Sequence, residues 1–255
     1  MKIARLTVLL LVVCLVAAVV LEAQRRRSGG GFGGGFGPGA FVQKATPRTE
    51  FAIARWYSAG WQNDGWAHDY PTAEEHILQI MSEVTLIDTE RLSYQVVDLA
   101  SPEIFKYPFS YVSHPGEVHP SDEEIENLRQ YIERGGFVMF DDFGGQGQGP
   151  WEMEAFLDIL RRAFPDRQMY RLRDDHELLR ISYEVDDLDM LHPMSDAKSV
   201  FYGFDDSKGR LAMVICHAND VGDYWEFIDE PRYRVKPSAE ALKLGINIAL
   251  YSMTH

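Results

Sequence analysis

Apolar and polar positions alternate along the chain between short continuous runs and helically spaced stretches. "FAIARWY" (Phe51–Tyr57), "LSYQVVDL" (Leu92–Leu99), "FSYVSH" (Phe109–His114) and Phe137–Phe140 within "GGFVMFDDFGG" read as strands. The last is apolar at every position and bounded by glycine, the mark of a strand covered on both faces. Ile77, Ile80, Met81 and Val84 share a helical face behind Thr72 and Glu75, whose spacing predicts a capping box. Ser121 and Glu124 predict a second box, opening a helix with Ile125, Leu128 and Ile132 inward and a stop at Gly135. A third helix is predicted from Trp151 to Phe164, burying Met153, Phe156, Leu157, Leu160 and Phe164.

Residues 165–200 carry only short irregular pieces. "SVFYGF" and "RLAMVICH" then flank the turn "DDSKG", which predicts a hairpin. Ser238 is placed as the cap of a last helix carrying Leu242, Ile246, Ala249 and Met253. Strands alternating with helices predict an α/β three-layer sandwich with a mostly parallel sheet, closed by the C-terminal hairpin and helix.

The N-terminus has a different pattern. Lys2 and Arg5 precede an apolar run from Leu6 to Leu21, shorter than the ~20 residues of a membrane span. It ends in a small-residue cleavage site at Ala23, so residues 1–23 read as a signal peptide, or alternatively as an N-terminal anchor. Residues 24–40, with the glycine-rich Ser28–Ala40, read as a flexible tether, and 41–255 as a single domain. The expected location is exported, periplasmic or otherwise extracytoplasmic.

The whole chain holds 25 Lys and Arg against 39 Asp and Glu; without residues 1–40 the balance is 20 against 38, a net of −18. Such a surface repels phosphate backbones and anionic lipid, which excludes nucleic acid as a partner and leaves membrane contact to the N-terminal segment. Cys14 falls in the leader, so Cys216 is the one cysteine of the domain and forms no internal disulfide.

In a doubly wound sheet, ligands sit beyond the carboxyl ends of the strands. Trp61, Trp66, His68 and Asp69 follow the first strand; His114, Glu117 and His119 follow "FSYV"; Asp141 and Asp142 follow "FVMF"; His217, Asn219 and Asp220 follow "AMVIC". If those four strands are parallel, their loops converge on one edge. On a regular strand Asp141 and Asp142 point to opposite faces, so one is expected toward the cleft and the other on backbone N–H groups, unless both cap loops.

Other chemistries find less support. Cys216 and His217 are adjacent on a strand, point apart and cannot form a Cys–His dyad. "GGQGQGP" lacks the ending of a P-loop and the spacing of a dinucleotide site. "HPGEVH" is not a metal motif, so no metal or cofactor is expected. Trp61 and Trp66, beside Asn63, Asp64 and His68, suit stacking on sugar rings or on a protein, with core packing as the alternative.

The stretches "GWAHDYPTAEEH", "YPFSYVSHPGEVHPSDEEIENLRQYIERGGFVMFDDF" and "KLGINIALYSMTH" resemble the bacterial family catalogued as domain of unknown function 4159; "HELLRISYEV" is similar to a divergent form of another family segment. The resemblance implies a class I glutamine-amidotransferase-like, flavodoxin-like fold and no particular activity. The expected function is non-catalytic binding of an envelope glycan or protein partner through Trp61, Trp66, His68, Asp69, His114, Asp141, Asp142 and Asp220. The alternative is a hydrolase of glycan or amide bonds, metal-assisted or not, using Asp141 or Asp142 with His114, His176 or His217.

Overall fold

The computed structural model describes residues 48–62, 64–143, 150–186, 188 and 198–255. The expected signal peptide, the tether and the glycine-rich stretch 144–149 lie outside the described residues. The strands are β1 (Ile53–Tyr57), β2 (Tyr94–Asp98), β3 (Phe109–Ser113), β4 (Phe137–Phe143), β5 (Tyr170–Arg171), β6 (Val200–Asp205) and β7 (Leu211–His217). The helices are α1 (Thr72–Val84), α2 (Asp122–Glu133), α3 (Pro150–Ala163), α4 (Val221–Glu226) and α5 (Val235–Thr254).

One mixed sheet runs in the order β2-β1-β3-β4-β7-β6-β5. β2, β1, β3, β4 and β7 are parallel, in registers such as Ile53↔Phe109, Phe109↔Phe137 and Val138↔Met213. The expected hairpin forms as β6 antiparallel to β7, and β5 adds an antiparallel edge. The period of two along each strand sorts side chains to two cores. Ile53, Phe109, Phe137 and Met139 pack under α1, α4 and α5 with Ile77, Trp225 and Leu244. Ala54, Trp56, Val112, Val138 and Phe140 pack under α2 and α3 with Leu128, Ile132, Phe156 and Leu160. Each large apolar side chain fully buried this way contributes roughly 1.5–3 kcal/mol, which explains why Phe137 to Phe140 and Phe143 of β4 are buried.

Helix starts follow the sequence only in part. The Ser121–Glu124 box forms, with Glu124 N–H donating to Ser121 Oγ at 3.3 Å and Ser121 N–H to Glu124 Oε2 at 2.7 Å. The box at Thr72 does not. Ala73 N–H bonds Asp69 O and Glu75 N–H bonds Pro71 O, so Thr72 is already inside the helix. Glu75 turns instead to Arg91 at 2.5 Å and to the Tyr94 hydroxyl at 2.9 Å. Ser238 likewise sits within the first turn of α5, its hydroxyl donating to Arg234 O at 2.9 Å. On α3 the inward face is rotated from the expected one: Glu152, Phe156, Ile159, Leu160 and Ala163 are buried, while Met153 and Leu157 are half-buried. No helix among the described residues is long and apolar enough to cross a membrane.

Candidate functional site

β1 and β3 are neighbours whose chain continuations leave to opposite sides, toward β2 and β4. Such a switch point opens a crevice between the loops at the carboxyl edge. Here those loops are tied to each other. His119 N–H donates to Gly60 O at 3.0 Å and Gln62 N–H to Glu117 O at 3.2 Å. From below, Arg55 on β1 holds the turn carrying His68 and Asp69. Its Nη1 donates to Trp66 O at 3.2 Å and His68 O at 3.0 Å, and its Nε to Glu74 at 2.6 Å. The guanidinium lies 4.3 Å from the centre of the Tyr111 ring.

The end of β4 is irregular. Its pairing with β7 slips between Phe140 and Phe143, and Asp142 takes a left-handed φ of 57°. A bulge of this kind re-aims a side chain, and it gives the two aspartates different partners. Asp141 Oδ2 accepts the Tyr111 hydroxyl at 2.9 Å and Gly222 N–H at 2.8 Å. Asp142 Oδ2 meets His68 Nδ1 and His114 Nε2, both at 2.7 Å, with the Ser113 hydroxyl donating at 3.3 Å. The two imidazoles stand nearly perpendicular, 4.9 Å apart.

Gly222 closes the floor because nothing larger fits. A Cβ there would lie 2.3 Å from both Asp69 Oδ2 and the Tyr111 hydroxyl. Behind it, α4 contributes Asp220, Asp223 and Glu226. Asp220 caps that helix, its Oδ1 accepting Asp223 N–H at 2.9 Å. The side-chain ligand atoms form four overlapping sets, each within 4.8 Å: His68, His114 and Asp142; His68, Asp69 and Asp220; His114, Glu117 and Glu152; Asp69, Asp223 and Glu226. Asp69, His114 and Asp142 all have positive φ, at 62°, 46° and 57°. Conformations of this kind cost ~1–3 kcal/mol each for a non-glycine residue and persist where the surrounding structure imposes them.

The electrostatics follow from burial of like charge. Burial and the charge of Asp142 push the Asp141 carboxyl up to about 7. Burial and Asp69 push Asp223 up to about 6 and Glu226 up to about 7, and with Asp142, Asp223 and Asp141 they raise Asp220 well above the carboxylate range. Burial acts against the charged form of His68, but its bonds to Asp142 and Asp69 outweigh it and carry the imidazole up to about 11. His114 is raised through Asp142 against the same burial. Asp142 in turn is held below the usual range, because the two imidazoles outweigh its own burial.

Of the residues singled out from sequence, His68, Asp69, His114, Glu117, Asp141, Asp142 and Asp220 come together here. Trp61, Trp66, His176, His217 and Cys216 do not. Trp66 is 2% exposed and packs edge-on against Tyr57 at 5.6 Å, so its indole presents no stacking face. Trp61 is half-buried against the α2/α3 core with its indole nitrogen enclosed. His217 alternates away from Cys216 and sits between the rings of Phe143 and Tyr202, where burial lowers its pKa. His176 accepts Leu178 N–H at 3.1 Å, 6.1 Å from the Tyr251 ring near the C-terminal end of α5. Cys216 is fully buried, and burial with the nearby Asp141 charge raises its thiol well above the ordinary value.

Asp223, Glu226, Glu152 and Arg55 are what a reading of the sequence misses. A signal existed for each: Asp220, Asp223 and Glu226 recur at helical spacing, Glu152 precedes Phe156 by one turn, and Arg55 interrupts an apolar strand.

Residues 52–253 match the family model of a domain of unknown function, DUF4159. The chain belongs to the DUF4159 family. Among curated proteins none matches it. The DUF4159 match contains the whole cluster from Arg55 to Glu226, so the site is built entirely from the family domain.

Proposed function

We propose that this DUF4159 domain is a hydrolase that works with a divalent cation held by His68, His114 and Asp142. One observation carries the reading: His68 Nδ1 and His114 Nε2 converge on the same oxygen of Asp142, each at 2.7 Å. Two imidazoles and a carboxylate are the donor set of hydrolytic zinc sites and of other first-row metal sites. The surrounding acids support it, since buried carboxylates that repel one another gain from a cation among them. His68 has a 36% exposed side chain and stands at the mouth, where a substrate reaches the ion.

The chemistry assigned to the site is hydrolysis of an amide or glycosyl bond. His68, His114 and Asp142 would hold the cation, which would supply a water acidified toward a pKa of ~7. Asp220, buried beside His68, takes the proton. The hydroxide oxygen bonds to the electrophilic carbon as the carbon–nitrogen or carbon–oxygen bond breaks, and the leaving group takes up the proton. A cysteine nucleophile has no part in this, since Asp141 to Phe143 stand at the end of β4 and Cys216 is enclosed.

The strand order 2-1-3-4-7 supports a class I glutamine-amidotransferase-like arrangement as the finer description of the fold. An exported location, with an envelope glycan or peptide as substrate, is part of the same proposal and rests on the N-terminal sequence pattern. The stacking platform of the pure binding reading loses Trp66 to the core.

The test is titration of the EDTA-stripped full chain with Zn²⁺ and Mn²⁺, with release of p-nitroaniline or p-nitrophenol from chromogenic amides and glycosides as readout. Tight binding that weakens roughly tenfold or more in His114→Ala, with turnover that follows the ion, supports the reading. A chain that binds neither ion overturns it.

A further inference from the structure

A second acidic compartment adjoins the His68–His114–Asp142 set and shares none of those ligands. Asp69, Asp223 and Glu226 bring one oxygen each within 4.8 Å of one another. An acidic group alone is common on proteins, but Asp69 distinguishes this one. Its side chain is fully enclosed, and among the described residues no backbone N–H or hydroxyl donates to either carboxylate oxygen. Its nearest cationic neighbour is His68 Nδ1, 3.1 Å from Oδ1, and that nitrogen is already 0.4 Å closer to Asp142. On the other side, Gly222 comes so close that a Cβ would meet Asp69 Oδ2 at 2.3 Å. A buried carboxylate with an oxygen left over is costly unless a proton or cation sits against it.

We infer that Asp69, Asp223 and Glu226 hold a second divalent cation, next to the one assigned to His68, His114 and Asp142. The inference rests on the cation reading of that first site. Donor chemistry separates the two positions. The first offers imidazole nitrogen and suits Zn²⁺, Mn²⁺ or Fe²⁺, whereas the second offers only carboxylate oxygen and suits Mg²⁺, Ca²⁺ or Mn²⁺. His68 and Asp69 are consecutive residues that each serve one position, so the ions would be neighbours, as in hydrolases whose paired ions lie ~3.5–4 Å apart. In such a pair one ion activates the water and the other stabilises the charge that develops on the leaving atom.

Mn²⁺ is the probe, because both donor sets accept it and its paramagnetism reports on neighbouring ions. The full chain, stripped with EDTA and dialysed against Mn²⁺, is analysed for bound manganese and for electron-spin coupling between ions. Two coupled Mn²⁺ per chain are expected. Glu226→Gln and Asp223→Asn, each checked by circular dichroism for an intact fold, are expected to leave one uncoupled ion. His114→Ala is expected to lose the other. One ion in the wild type that survives both α4 variants but not His114→Ala overturns the second position and leaves the first standing. No bound manganese overturns both.

Discussion

Arg55 Nε and Glu74 Oε1 meet at 2.6 Å with both side chains essentially sealed from water, 0% and 2% exposed. The pair lies directly beneath the turn that presents His68 and Asp69, and Arg55 also bonds the His68 carbonyl. Removing one partner of a buried pair leaves an uncompensated charge and costs ~3–5 kcal/mol. Glu74→Gln is therefore expected to lower stability by about that much in urea denaturation. Arg55→Lys keeps the charge but gives up the forked donation to Glu74 and two carbonyls, so cation affinity should fall even where the variant folds.

The two aspartates of "FDDF" separate by substitution. Asp141→Asn keeps an oxygen for Tyr111 and Gly222 and removes a carboxyl already raised to about 7, so its stability change at pH 7 is expected within ~1 kcal/mol of zero. Asp142→Asn leaves two imidazoles without their shared anion. A loss of ~2–3 kcal/mol near pH 6 is expected, because hydrogen bonds to charged groups contribute that much. Proton NMR of the imidazoles checks the cause. The titration of His68, carried up to about 11 in the wild type, should fall back toward the ordinary histidine value.

Stability of the cation-free protein should decline with pH. Asp141, Asp223 and Glu226 have folded pKa values raised to about 7, 6 and 7, above their unfolded values. The stabilisation each gives in its protonated form is complete below the unfolded pKa near ~4 and is lost as pH rises through 6–7. His68, raised to about 11, acts in the same direction at higher pH, being fully stabilising below ~6.5 and losing its contribution up to 11. Urea denaturation in EDTA should give a higher midpoint at pH 5 than at pH 8. Added Mn²⁺ should narrow or reverse the difference, because a bound ion replaces the protons.

Cys216 is expected to be inert in the native state. Its thiol is fully buried and raised well above the ordinary value by burial and Asp141, so little thiolate forms at neutral pH. Labelling with a disulfide reagent should be slow until denaturant is added, and Cys216→Ala should leave cation binding intact.

The alternation of apolar runs and amphipathic stretches carried the architecture by itself. Burial on both faces forces "FVMF" to read as an inner strand, and the 3.6-residue period marks α1 and α2, because these are local consequences of pleat and pitch. The same logic placed His68, Asp69, His114, Asp141, Asp142 and Asp220 after strands, so their meeting depended only on β1, β3, β4 and β7 being parallel. Local spacing could not reveal the bulge that turns Asp142 toward two histidines, since strand alternation forbids it and only the pairing slip against β7 permits it. Nor could it show that Trp66 is enclosed, that α3 turns Glu152 inward, or that α4 aims Asp223 and Glu226 at Asp69. Those are decided by which surfaces pack together, and contacts between residues distant in sequence leave no periodic trace in it.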